Sequence, residues 1–339
     1  MKRYCVALLV FSVLLCSCRI VTPRQYTATY LTLFDTVTTI LGTGETEQEF
    51  QQNAQEIYEE LLAYHQLFDI YNDYEGIQNL KTINDQAGIM PVTVDPAIIA
   101  LLLDCKEYYG LTDGKVNAAM GSVLRLWHRA RSESIQDPDK AYLPDGKALS
   151  EAAEHIDFDS VVIDEVASTV YISDPEMSLD VGAIAKGWAC QKVAETAPEG
   201  MLISIGGNVC VTGPKNTHGA PWVIGIQDPK NSGDYLHTLN VTGGAVVTSG
   251  NYQRVYTVDG KMYHHIIDPE TQMPSTYWCS VTVVCGDSGL ADALSTALFL
   301  LPLEEGQALA EKCGVQALWL DASGNEFMTP GFREFIQNE

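Results

Sequence analysis

His265 lies in the run His264-His265-Ile266-Ile267-Asp268-Pro269. An imidazole titrates near working pH and can take the proton of an attacking hydroxyl. Two adjacent histidines before Asp-Pro fit a catalytic base and a structural pair equally well. A second group lies in Ala291-Asp292-Ala293-Leu294-Ser295-Thr296-Ala297. On a helix, Asp292 and Thr296 stand four apart and face one way, with Ser295 three from Asp292. A carboxylate beside hydroxyls is a hard-oxygen set suited to Mg2+ that keeps waters and binds phosphate. Polar capping of a helix turn would read the same. In Asp180-Val181-Gly182-Ala183-Ile184-Ala185-Lys186-Gly187, small residues let the backbone approach a ligand just before a helix starts. An anion could sit on that helix end, with Lys186 as a point charge. The spacing fits neither G-x-G-x-x-G nor the P-loop, and a close-packed turn remains the alternative. Thr248 and Ser249 in Thr248-Ser249-Gly250-Asn251-Tyr252 offer hydroxyls apt for phosphate or ribose. The paired glycines of Ser204-Ile205-Gly206-Gly207-Asn208 suggest a bulge inside a strand or the close approach of another group.

The elements that must position these residues follow from periodicity. Residues 27–41 alternate and are β-branched, which predicts one opening strand. Residues 47–68 predict an amphipathic helix with Phe50, Ala54, Ile57 and Leu61 on one stripe, continued by Tyr64 or His65. An aromatic, Asn/Asp-rich loop follows over 68–80. A second helix is expected over 96–109, with Asp95 as N-cap and Gly110 after its end. Residues 137–146 read as a surface loop or lobe boundary, 155–172 as a hairpin turning near Asp164-Glu165, and 179–194 as a strand end entering a helix. Strands are expected over 202–211, 222–226, 236–247, 253–258, 281–284 and 315–320, and helices over 290–300 and 303–312. No internal repeat or low-complexity linker appears. The order is mixed, so the expected class is α+β or mixed α/β with much antiparallel sheet.

The chain has 339 residues, 46% apolar, which suits one large domain or two fused lobes. Its net charge is −24, from 20 basic and 44 acidic residues, so nucleic acid and bare anionic membrane are repelled. A dinucleotide still fits if metal and backbone N–H groups supply positive charge locally. The first eighteen residues stand apart from the fold: Lys2 and Arg3, an apolar run over 6–15, then Leu15-Cys16-Ser17-Cys18. This resembles a bacterial lipobox, with Cys18 as the acylated residue and an ordinary secretory signal as the alternative. The mature protein would then occupy 19–339 outside the cytoplasm, tethered by lipid. The six remaining cysteines form no C-x-x-C pair, so zinc is not indicated, and buried free thiols are expected in the apolar elements.

Taken in order, these segments resemble the ApbE family, the FAD:protein FMN transferases. The family's D-x-G-x-x-A-K-G is matched by Asp180 to Gly187, its G-G-[DN] by Gly206-Gly207-Asn208, and its T-S-G-[DN]-Y by Thr248 to Tyr252. H-I-x-D-P-x-T is matched by His265 to Thr271, and A-D-A-x-x-T-A by Ala291 to Ala297. Asp113-Gly114-Lys115-Val116-Asn117 through Trp127 resembles a further family stretch. The chain departs from the pattern at Gln272, where Gly is usual, at Asn117, often Asp, and at Phe34-Asp35-Thr36, where the family has M-G-T. It also departs in the 68–80 loop. The resemblance implies largely antiparallel sheets flanked by helices. It implies an enzyme that cleaves FAD with Mg2+ and passes FMN to a Thr or Ser of an acceptor, releasing AMP. It implies FAD binding by Tyr71, Asn117, Met120, Asp180, Lys186, Thr248, Ser249, His265 and Ile266. The metal would be held by Asp292, Thr296 and the Ala183 carbonyl, assisted by Ser295, with His265 as base. Tyr71 and Trp127 are candidates for stacking on flavin or adenine, with core packing as the other reading of Trp127. The implied acceptors are flavin-bearing subunits of membrane electron-transfer complexes, which suits an outward-facing lipid anchor. The rival functions are an FAD pyrophosphatase, with water attacking, and a flavin-binding lipoprotein without catalysis.

Overall fold

Two-residue turns set much of the topology. The computed structural model describes residues 24–337 apart from Glu45 and Ser232, so Cys18 lies outside the described residues. The strands are β1 (Arg24–Leu33), β2 (Thr36–Gly44), β3 (Val92–Thr93), β4 (Val161–Asp164), β5 (Thr169–Ile172), β6 (Met201–Ile205), β7 (Asn208–Val211), β8 (Trp222–Gln227), β9 (Tyr235–Val241), β10 (Gly244–Gly250), β11 (Val255–Val258), β12 (Lys261–His264), β13 (Ser280–Cys285), β14 (Gln316–Leu320) and β15 (Glu326–Met328). The α-helices are α1 (Glu47–Phe68), α2 (Leu80–Asp85), α3 (Pro96–Leu111), α4 (Gly121–Gln136), α5 (Gly146–Ala152), α6 (Ala185–Thr196), α7 (Ser288–Leu300) and α8 (Leu303–Cys313).

An eight-stranded antiparallel sheet, in the order β1-β2-β6-β7-β10-β13-β14-β15, forms the centre. Alternation along its strands divides the core. Ile203, Ile205, Val247, Val283 and Trp319 pack on one face with α1, α6, α7 and α8, while Leu202, Val246, Val284 and Leu318 meet the β8–β9 ribbon on the other. The mixed, largely antiparallel class read from the sequence is the one observed. A second core joins α2, α3 and the β3-β5-β4 sheet to the start of α6. No described helix is long and apolar enough to cross a membrane.

Several expected boundaries are corrected. The strand expected over 27–41 is a hairpin, because Phe34 and Asp35 both take positive φ, +52° and +53°, and reverse the chain in two residues. Gly206 and Gly207, at φ +57° and +95°, likewise turn β6 into β7, so the strand expected over 202–211, with a bulge or the close approach of another group, is a hairpin. The strand expected over 236–247 breaks between β9 and β10. Helix α3 runs past Gly110 and ends at a Thr112 cap, and residues 179–184 form a turn, not a strand. Helix α4, with no counterpart in the sequence reading, packs Val123, Trp127 and Ala130 inward.

Candidate active site

A cavity of about 760 Å3 opens where the α6 entry turn, α7, the end of β10, the segment after β12 and α4 converge. Tyr71, Asn117, Met120, Asp180, Ala183, Lys186, Thr248, Ser249, His265, Ile266, Asp292 and Thr296 all line it. Residues far apart in sequence, from Phe34 to Leu300, thus come to one place. A smaller cavity of about 310 Å3 adjoins it, sharing Lys115 and Asn117. Lys115 bridges Asp268 at 3.1 Å and Glu270 at 3.0 Å, tying the 113–117 segment to the loop after His265.

Helices α6 and α7 meet at Gly187, where a Cβ would strike the Ser288 carbonyl and the Asp292 Cβ. The contact lets the Gly187 N–H donate to Asp292 Oδ2 at 2.8 Å, and Lys186 Nζ stands 3.5 Å from the same oxygen. Asp292 is 3% exposed, so a carboxylate that burial would penalise is held by one backbone donor and one ammonium. Ser295 does not line the cavity. It is fully buried and bonds Ser249 Oγ at 2.7 Å and the Asp292 carbonyl at 2.9 Å, which ties β10 to α7. Asp180 accepts from Gly182 N at 2.9 Å and shapes the turn. Asn117 spends its amide on Ile156 O and its carbonyl on Ala119 N, both at 2.8 Å.

The adjacent histidines differ. His264 Nε2 lies 2.7 Å from the Ser275 carbonyl and its Nδ1 accepts from Ile266 N at 3.2 Å, so both nitrogens are used in one neutral tautomer. His265 faces the cavity, and its buried Nδ1 has no protein partner. Burial, followed by Arg254, Arg131, His264 and Lys186, pushes its pKa down to about 3, so it is an uncharged imidazole. Asn208 Nδ2 is a second buried polar atom without a partner, also in the cavity wall.

Trp127, considered for stacking, belongs to the core. It is buried and its Nε1 donates to the Gln272 carbonyl at 2.8 Å, which braces the loop after His265. Tyr71 is exposed at the rim, with its hydroxyl 2.8 Å from His128 Nδ1. Sequence reasoning missed His128, Arg131 and Arg254. Leu124, His128, Arg131 and Ile135 line the cavity from one face of α4, and their helical spacing was the available signal. Arg131 and Arg254 form a local positive wall in a strongly acidic chain.

Among the described residues, no group of three or more His, Cys, Asp or Glu side chains could hold a metal ion. At the α6–α7 end the cavity offers the Asp292 carboxylate beside hydroxyl and carbonyl oxygens. That donor set fits Mg2+ shared with substrate phosphates and water, not an all-protein cage.

A family model described as the ApbE family matches residues 29–319. An FAD:protein FMN transferase of Treponema pallidum is 36% identical over 260 residues, covering 71% of this chain and 70% of that one. One from Klebsiella pneumoniae is 32% identical over 277 residues, covering 78% and 83%. A crystal structure of the ApbE protein from Thermotoga maritima superposes with a TM-score of 0.82 at 27% identity, covering 93% of this chain and all of that one. A flavin transferase ApbE from Vibrio cholerae, at 23% identity and a TM-score of 0.76, shares the fold.

Proposed function

The chain belongs to the ApbE family, and on that premise we propose that it moves FMN from FAD to a Thr or Ser hydroxyl of an acceptor protein, releasing AMP. The observation that carries this reading is a single cavity with an unpartnered, neutral imidazole on one wall and a carboxylate–lysine pair on another. His265 takes the proton of the acceptor hydroxyl. The hydroxyl oxygen bonds the FMN phosphorus as the bond to the AMP phosphate breaks, and AMP departs as an anion. Lys186 and the α6 entry turn hold the diphosphate. Asp292, Thr296 and the Ala183 carbonyl would hold Mg2+, which would supply Lewis-acid charge to the phosphates. In the protein alone three cations and burial make His265 a weak base. The negative diphosphate counters those cations and strengthens it, so the base gains power with substrate present.

The acceptor we propose is a flavin-bearing subunit of a membrane electron-transfer complex, reached by an enzyme acylated at Cys18 on the outer side of the membrane. The test uses the chain from Arg19 with FAD and Mg2+, with and without an acceptor domain, following AMP release and covalent flavin fluorescence. Acceptor labelling that Asp292→Ala abolishes supports transfer. Equal AMP release without acceptor makes water the substrate, and bound FAD with no AMP under either condition removes the enzyme reading.

A further inference from the structure

Asn208 opens β7 directly after the Gly206-Gly207 turn and pairs across the sheet with Val247 of β10. It is 2% exposed, and its Nδ2 has no hydrogen-bond partner in the protein. A buried amide donor left unpaired costs stability, which a fold would avoid by placing an apolar residue there. The neighbouring interior positions are apolar: Ile205 and Cys210 pack in the core on the α6 side of the sheet. Asn208 instead lines the cavity together with Ser249, Lys186 and Asp292. Its surroundings are fixed. Gly206 sits so close to Thr36 that a Cβ would strike that side chain, and Ser249 is locked to Ser295.

We propose that Asn208 is a ligand-binding residue whose side-chain amide donates to a phosphoryl oxygen of the bound dinucleotide. This rests on the transferase reading for the identity of the ligand. The two cationic or metal-binding partners on that side, Lys186 and Asp292, supply charge, and a neutral N–H at the sheet surface adds direction to the grip. The unpaired donor of the empty protein becomes paired when the diphosphate arrives, so the residue serves binding at the expense of the empty fold.

The test compares the wild-type chain with Asn208→Leu and Asn208→Asp, measuring affinity for FAD and for riboflavin in EDTA, and thermal midpoints without ligand. Riboflavin has the ring system and no phosphate. Asn208→Leu should bind FAD about ten- to a hundredfold more weakly, as expected for a hydrogen bond to a charged group, while riboflavin affinity stays within twofold and the midpoint is unchanged or higher. Asn208→Asp, which sets a carboxylate against phosphate, should bind FAD more weakly still without metal. Equal losses for FAD and riboflavin, no loss of FAD, or a lower midpoint with affinity retained would each overturn the assignment. A wild-type chain that binds FAD with this selectivity yet cleaves none would refute the transferase reading and leave the role of Asn208 intact.

Discussion

At His265, burial is the first cause of a pKa near 3, and the cations Arg254, Arg131 and Lys186 add to it, so only the neutral form exists across the ordinary working range. For the reaction proposed above, the free-enzyme quantity kcat/KM should show no acid limb from this group between pH 5 and 7. A limb near the usual histidine value of about 6.5 would contradict the geometry. Replacing His265 with Ala should lower kcat by about 10²–10⁴-fold if it is the base, with FAD affinity far less affected. Residue type alone does not separate the adjacent histidines, and only the H-I-x-D-P-x-T match singled out His265. The difference lies in the Ser275 carbonyl and the Ile266 N–H, both of which His264 takes, and neither partner is implied by residue type.

The α6–α7 crossing depends on a glycine at its contact. Gly187→Ala should separate the helices, cost about 1–3 kcal/mol in urea unfolding, and weaken any cation bound at Asp292, since the Gly187 N–H holds that carboxylate. Trp127→Phe should cost about 1 kcal/mol through the lost bond to Gln272 and leave FAD affinity unchanged, whereas a stacking role would show the reverse. The amphipathic helix over 47–68 was legible from its stripe because its burial comes from one face of one element. The five motifs in the segment from Asp180 to Ala297 were legible because small and polar residues interrupt apolar runs there. The hairpins at Phe34-Asp35 and Gly206-Gly207 were not, since a two-residue reversal inside an apolar run leaves the alternation intact. Helix α4 escaped notice because its cavity face mixes Leu124 and Ile135 with His128 and Arg131, so the stripe is not apolar.

Over the whole molecule, burial lowers the pKa of His128, His264 and His265 alike, ahead of their other influences. The unfolded chain, with histidines near 6.5, therefore binds more protons than the folded one below that pH. Stability from these groups is fully present above about pH 6.5 and is lost as pH falls toward the lower folded-state values. Urea midpoints should decline from pH 7.5 to 5, and a rise over that interval would contradict the burial of these rings. The acidic surface resists anionic bilayers, so Cys18→Ala should move the protein from the membrane to the soluble fraction of producing cells. The glycine contact at position 187 also bears on how the enzyme could change over generations. Where two helices touch through a hydrogen atom, every larger side chain carries a stability cost, so the α6–α7 end of the cavity should change slowly. The α4 wall has no such crossing, and its Leu124, His128, Arg131 and Ile135 can vary without parting the helices. New substrates should therefore be acquired from that side, with the α6–α7 contact inherited unchanged.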